Sequence, residues 1–238
     1  MAPETRPPAF RLYVVTDRQQ TAGRPLEEVL TATARGGVGA VQLREKDLGA
    51  RDLYALGQRL RAALAPYDVP LLINDRLDVA LALDAAGVHL AGHSLPTAQA
   101  RRLLGSHKLI GVSTHSVEEA QRAEAEGADF VVFGPVFSTP SKLAYGPPQG
   151  LERLTAVVHR VRLPVLAIGG INASNLPQVM QAGAAGVAMI RAVLAAADPC
   201  AATRELNEAL VTCVGGPGQK SAHHSSSRRA TSARNTSR

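Results

Sequence analysis

Between Leu12 and Ile190 the chain repeats one pattern. A short unbroken apolar run is followed by a longer stretch in which apolar residues recur every three or four positions. The runs are Leu12–Val15, Ala40–Leu43, Leu71–Ile73, Val88–Leu90, Leu109–Val112, Phe130–Phe133, Val165–Ile168 and Gly186–Ile190. Each is continuous rather than alternating, which predicts parallel strands covered on both faces. The intervening stretches, among them Pro25–Arg35, Ala50–Leu64, Val117–Glu126 and Leu151–Val161, carry helical spacing. Ser116-Val-Glu-Glu119 has the capping-box signature, a Ser followed three residues later by Glu, so a helix begins there. Ser174 predicts a similar cap for a helix over Asn175–Ala182.

The punctuation repeats as well. The second, fourth, sixth and eighth runs follow GGVGA, AAG, EGAD and AGAAG, where a glycine can supply the left-handed residue that ends a helix. The third and seventh follow VP and LP, where proline stops the helix and the strand begins. This is a βαβ unit used four times, an α/β pattern that predicts a single closed (β/α)8 TIM barrel. An open doubly wound sheet is the rival. It favours a Gly-x-Gly-x-x-Gly turn after the first strand, where this chain has TDRQQTAG. The predicted organisation is an N-terminal extension over 1–10, the barrel over 11–214, and a tail over 215–238.

Composition narrows the class. The chain has 238 residues, 45% of them hydrophobic, which is ample for a large core. Aromatics are 3% with no Trp, which argues against a stacking platform for single-stranded nucleic acid. No apolar run approaches the roughly 18–20 residues of a membrane span, and the first residues lack the apolar core of a secretion signal. Cys200 and Cys213 are too few for a disulfide scaffold. The expectation is a soluble, reduced, cytoplasmic protein. The net charge of +6 is misleading: five of the 26 Lys and Arg lie in residues 218–238, which hold no acid, so the rest of the chain carries +1. That polar basic tail is expected to be disordered, with no specific nucleic acid and no membrane as its partner.

In a barrel of this kind the chemistry sits at the C-terminal ends of the strands, and the unusual polarity collects there. Gln42, Arg44 and Lys46 alternate along the second run, so on a strand they share one face. Two cations side by side suit a phosphate or diphosphate between them. Asn74 and Asp75 end the third run, Ser113 and His115 the fifth, and Arg191 the eighth. Asp75 suits a Mg²⁺ bridged to a diphosphate, with a helix N-cap as the alternative. His93 and His115 are acid–base candidates, whereas His89, inside a run, reads as packed core. Lys142 lies in a hydroxyl-rich loop, STPSK, able to cradle the same anion. The long connection Ser138–Gly150 is either a lid or a rigid connector. Gly169-Gly170, after the seventh run, allows close backbone approach to a second phosphate. Two anion sites imply small phosphorylated substrates, two of them or one bisphosphate.

QLREKD, INDR, GVHL, IGVSTHS, GADFVVFGPVFSTPSK, AIGGI and GVAMI, in this order and spacing, resemble the thiamine phosphate synthase family and its thiazole tautomerase paralogues. The resemblance runs from about Arg11 to Leu210. It implies a barrel transferase that joins hydroxymethylpyrimidine diphosphate to a thiazole phosphate and releases pyrophosphate. It also implies that Gln42, Arg44, Lys46 and Asn74 hold the pyrimidine diphosphate, that Asp75 binds Mg²⁺, and that Ser113 and Lys142 contact the diphosphate. Arg44, Lys46 and Lys142 would be catalytic. Thr139, Ser141, Gly169, Gly170, Ile190 and Arg191 would hold the thiazole phosphate. A homo-oligomer is compatible with this picture. The pattern departs at Ser94, where the synthases carry a second acid, and at Pro140 and Arg191. Gly134 is followed by Pro135, where the tautomerases carry a functional histidine. A tautomerase and a non-catalytic phosphate-binding barrel are the alternatives.

Overall fold

The computed structural model describes residues 10–139 and 147–213. Eight parallel strands close into a barrel in chain order: β1 (Leu12–Val15), β2 (Ala40–Leu43), β3 (Leu71–Asn74), β4 (Gly87–Leu90), β5 (Leu109–Thr114), β6 (Phe130–Phe133), β7 (Val165–Ile168) and β8 (Gly186–Met189). β8 pairs with β1 through Leu12 and Val187, and that pairing closes the barrel and excludes the open sheet. Around it lie α1 (Leu26–Arg35), α2 (Ala50–Leu64), α3 (Leu77–Ala82), α4 (Thr97–Leu104), α5 (Val117–Ala125), α6 (Gly150–Arg160), α7 (Leu176–Gln181), α8 (Arg191–Leu194) and α9 (Pro199–Thr212). Among the described residues no helix is long and apolar enough to cross a membrane.

Successive strand residues point to opposite faces, and this divides the apolar residues into two cores. Leu12, Val14, Val41, Leu43 and Ile73 face outward and pack against the helices. Helix α1 meets them with Leu26, Val29, Leu30, Thr33 and Ala34, one face of a 3.6-residue repeat. Tyr13, Val15, Ala40, Leu72, Phe130, Val132, Leu166 and Ala188 face inward and fill the barrel. Phe10 joins this inner cluster, packing on Tyr13 and Phe130, so the last residue of the expected N-terminal extension belongs to the core.

Several local expectations change. Ser116 caps α5 by accepting from the Glu119 amide at 3.2 Å, as the capping box requires. Ser174 caps nothing: α7 starts after Asn175, and Asn172 Oδ1 instead accepts from the Ser174 amide and hydroxyl. Before β4 the left-handed residue is Asp84, at φ 48°, while Gly87 lies inside the strand. α9 is an added helix that the strand–helix count did not require. It lays Thr203, Leu206 and Leu210 inward beside α1. The tail over 215–238 lies outside the described residues.

Candidate active site

Parallel closure brings every strand's C-terminal end to one mouth, and neighbouring registers decide which side chains meet. Gln42 pairs in register with Leu72, and Asn74 with His89. His89 pairs with Gly111, and Ser113 with Val132. Gln42, Asn74, His89 and Ser113 therefore stand in one inward-facing belt across β2 to β5. Gln42 donates from Nε2 to the Tyr13 hydroxyl at 3.1 Å. Burial pushes the Tyr13 phenol far above its ordinary range, so it stays protonated. His89 Nε2 lies 2.9 Å from Ser113 Oγ, while its Nδ1 is buried without a partner among the described residues. Burial, aided by the charge of Arg44, holds the His89 pKa down at about 3. The ring is thus neutral and orients the Ser113 hydroxyl. It fits only because residue 111 is glycine: a Cβ there would lie 2.6 Å from His89 Nδ1.

Strand β2 ends at Leu43, so Arg44 and Lys46 do not share a strand face as expected. They belong to the following loop, and an anchor between them sets their relation. Glu45, 7% exposed, accepts from the Arg18 amide at 3.2 and 3.3 Å and from Arg18 Nη1 at 3.0 Å. Arg18 also grips Asp47. The Arg44 amide donates to Thr16 Oγ1 at 2.8 Å. With Glu45 turned to Arg18, Arg44 is left half-buried and Lys46 exposed.

Asp75 is not a helix N-cap. Arg76 holds that place, and it makes no capping bond with its side chain. Asp75 instead has φ 64°, the left-handed region that a side chain rarely adopts, and its amide donates to the His89 carbonyl at 2.9 Å. Such strain persists where surrounding structure imposes it, commonly at functional sites. Its carboxylate lies 4.0 Å from His93 Nε2. Ser94 Oγ accepts from the Ala91 amide at 2.8 Å, closing the turn after β4. Among the described residues no three His, Cys, Asp or Glu side chains cluster as a metal cage. The donor set still fits Mg²⁺, which commonly takes one or two carboxylates and completes its shell with substrate phosphates and water. Asp75 is the carboxylate at this end of the barrel that could contribute to such a shell.

Opposite this half, Gly169 is one residue past Ile168, which pairs with Ala188, so the Gly169-Gly170 turn and Ile190-Arg191 are neighbours. Both glycines have positive φ, 100° and 65°, and a Cβ on either would strike Pro135 or Phe137. They therefore let the loops after β6 and β7 pack together, joined by the Phe137 amide to the Gly169 carbonyl at 3.0 Å. Arg191 is exposed at the first position of α8. Thr139 is half-buried at the end of the described part of the β6 loop. Ser141 and Lys142, and most of the Ser138–Gly150 connection read as either a lid or a rigid connector, lie outside the described residues. His115 is exposed, with Nδ1 2.6 Å from the Gly134 carbonyl, and lines a cavity of about 320 Å³ with Phe133, Arg153 and Val157 rather than the belt.

Sequence alone does not single out Tyr13, the His89–Ser113 contact or the anchors of Glu45. The inward register of Tyr13 and His89 was the available signal, but it emerges only once strand ends are aligned.

The chain matches the family described as thiamine monophosphate synthase over residues 12–193. It is 49% identical over 203 residues to a thiamine-phosphate synthase of Roseiflexus sp. (strain RS-1), covering 85% of this chain and 86% of that protein. Identity to the thiamine-phosphate synthase of Syntrophomonas wolfei is 47% over 199 residues, 84% of this chain and 95% of that one. Among solved structures, a thiamine phosphate pyrophosphorylase from Pyrococcus furiosus superposes with a TM-score of 0.79 at 39% identity, covering 87% of this chain and 98% of that chain.

Proposed function

The chain belongs to the thiamine monophosphate synthase family, and from that premise we propose that the mouth described above houses a Mg²⁺-dependent group transfer. The protein is a transferase that joins hydroxymethylpyrimidine diphosphate to a thiazole phosphate and releases pyrophosphate. The observation that carries the site assignment is the adjacency of β2 and β3. A cation-bearing loop, Arg44 and Lys46, follows one strand, and a carboxylate on a left-handed backbone, Asp75, follows the next. Cations and a carboxylate side by side make a seat for a diphosphate with its counter-ion.

Gln42, Asn74 and the Ser113 hydroxyl oriented by His89 hold the pyrimidine diphosphate. The bond from the pyrimidine methylene carbon to the bridging oxygen breaks, and its electron pair leaves with pyrophosphate. Arg44, Lys46 and Lys142 take up the charge that develops there. Mg²⁺, when bound at Asp75, supplies further neutralisation of the leaving group. The pyrimidine ring disperses the positive charge on the methylene carbon, and the thiazole nitrogen lone pair then forms the new C–N bond. No proton moves, so no general base is needed, and the neutrality of His89 is consistent with that. Thr139, Ser141, the Gly169-Gly170 turn, Ile190 and Arg191 hold the thiazole phosphate on the other side. The substrates are small phosphorylated molecules of the cytoplasm, and no membrane or nucleic acid takes part. A tautomerase would use an imidazole after Gly134. Pro135 stands there, and His115 faces away from the belt.

The test is pyrophosphate release by purified protein given both substrates, with Mg²⁺ and with chelator. Release that needs both substrates and the metal is expected. Release without the metal removes the Mg²⁺ assignment, and no release in either condition removes the synthase assignment.

A further inference from the structure

The loop between β1 and α1 reaches both halves of the mouth, and it does so through two arginines. Arg18 binds Glu45 through its amide and its guanidinium and extends to Asp47, all on the loop that carries Arg44 and Lys46. Arg24 turns the other way. Its Nη2 donates to the carbonyls of Leu194 at 2.9 Å and Ala196 at 2.7 Å, and its Nη1 to Ala197 at 3.2 Å. Its Nε returns to the Thr21 carbonyl at 3.0 Å. Thr21, 1% exposed, sits between the two, with its hydroxyl 3.2 Å from the Arg18 carbonyl and 2.7 Å from the Arg24 carbonyl. The two anchors share one buried pivot.

We propose that this loop is a two-ended strut whose arginines are positioning residues for different substrates. Arg18 serves the diphosphate half and Arg24 the thiazole phosphate half. The proposal rests on the assignment of the two substrates given above. On the first side the reason is competition for charge. Glu45 lies in sequence between the two cations assigned to the diphosphate. A Glu45 released from Arg18 is an internal anion within reach of them. Arg18 keeps that carboxylate occupied and turned away. On the second side the reason is the weakness of α8. A single turn of helix has almost no stability of its own, so its orientation comes from what holds its ends. Arg24 places a cation on the carbonyls at and just beyond its C-terminal end, the favourable end for positive charge. It thereby fixes how Ile190 and Arg191, at the other end, face the mouth.

The experiment is a pair of variants, Arg18→Ala and Arg24→Ala, with Arg18→Lys and Arg24→Lys as charge-keeping controls. KM is measured for each substrate, and calorimetry gives the affinity for each alone: the pyrimidine diphosphate with Mg²⁺, and the thiazole phosphate. Arg18→Ala is expected to weaken the diphosphate by about tenfold and leave the thiazole phosphate within about twofold; Arg24→Ala does the reverse. The lysine variants fall between, since one ammonium cannot reproduce a forked set of bonds. A general loosening of the fold would move both substrates together in both variants, and that result overturns the proposal. So does a thiazole phosphate affinity untouched by Arg24→Ala. Should an alanine variant not fold, the lysine variant carries the same comparison. If the wild type binds both ligands but releases no pyrophosphate, the synthase assignment falls, while the calorimetric comparison still decides the strut.

Discussion

His89 makes the stability of this barrel depend on pH in a way that can be calculated. The ring is 2% exposed, packed between Tyr13 and Phe130, and its pKa is about 3. In the unfolded chain it returns to about 6.5. A histidine depressed on folding contributes stability that is present above the unfolded value and lost as pH falls toward the folded one. Between about pH 7.5, where both states are mostly neutral, and about pH 5, the linkage integral comes to about 2 kcal/mol lost through this one group. The figure is insensitive to the folded value, since at pH 5 any folded pKa below about 4 leaves the native ring unprotonated. For a chain of this size 2 kcal/mol corresponds to about 4–8 °C in Tm. The perturbation is His89→Gln, which keeps a group able to bond Ser113 but does not titrate. Urea unfolding of both proteins at the two pH values measures the effect. The difference between pH values, not the absolute stability, is the readout, so groups common to both proteins cancel. The wild type should lose about 2 kcal/mol more than the variant on acidification. An equal loss in both would show that His89 is not buried neutral and would refute the reasoning. Activity, by the same logic, carries no inflection from His89 between about pH 5 and 8.

Further outcomes follow from the site. Lys142→Ala should lower kcat by about 10²–10³ with little change in thiazole phosphate KM if, as proposed, it neutralises charge on the leaving group; steady-state pyrophosphate release measures it. Asp75→Ala should abolish metal-dependent turnover. Ser94→Asp, which adds the missing carboxylate, should tighten Mg²⁺ binding in a calorimetric titration and raise activity at low Mg²⁺. Gly111→Ala drives a Cβ toward His89 Nδ1 and the Phe130 ring, and should cost about 1–3 kcal/mol by denaturant unfolding, with the diphosphate bound more weakly than the thiazole phosphate.

Local order was largely legible. The continuous runs at Leu12–Val15, Ala40–Leu43, Phe130–Phe133 and Val165–Ile168 became strands with those bounds, because a stretch buried on both faces must be apolar throughout. The Ser116 cap was readable for a like reason: its partner amide lies three residues away, and no distant contact intervenes. Ser174 shows the opposite case. Its hydroxyl had the right sequence position, but Asn172 and Asn175 offered competing oxygens in the same turn.

The site divides along the same line. That cations, a carboxylate and glycines gather at strand ends is a property of the chain, since strand ends are local features. Which of them meet is decided by the register of a closed parallel sheet, where neighbours come from strands far apart in sequence. The inward run of Gln42, Asn74, His89 and Ser113 exists only once four strands are aligned. The ring state of His89 depends on burial by residues as distant as Tyr13 and Phe130. Glu45 stands between two cations in sequence, and only the tertiary contact with Arg18 makes it a buried anchor. Arg24 reaches carbonyls 170–173 positions away. Short-range physics is written in the order of residues, whereas charge pairing and burial are set by three-dimensional distance, which only closure of the barrel defines.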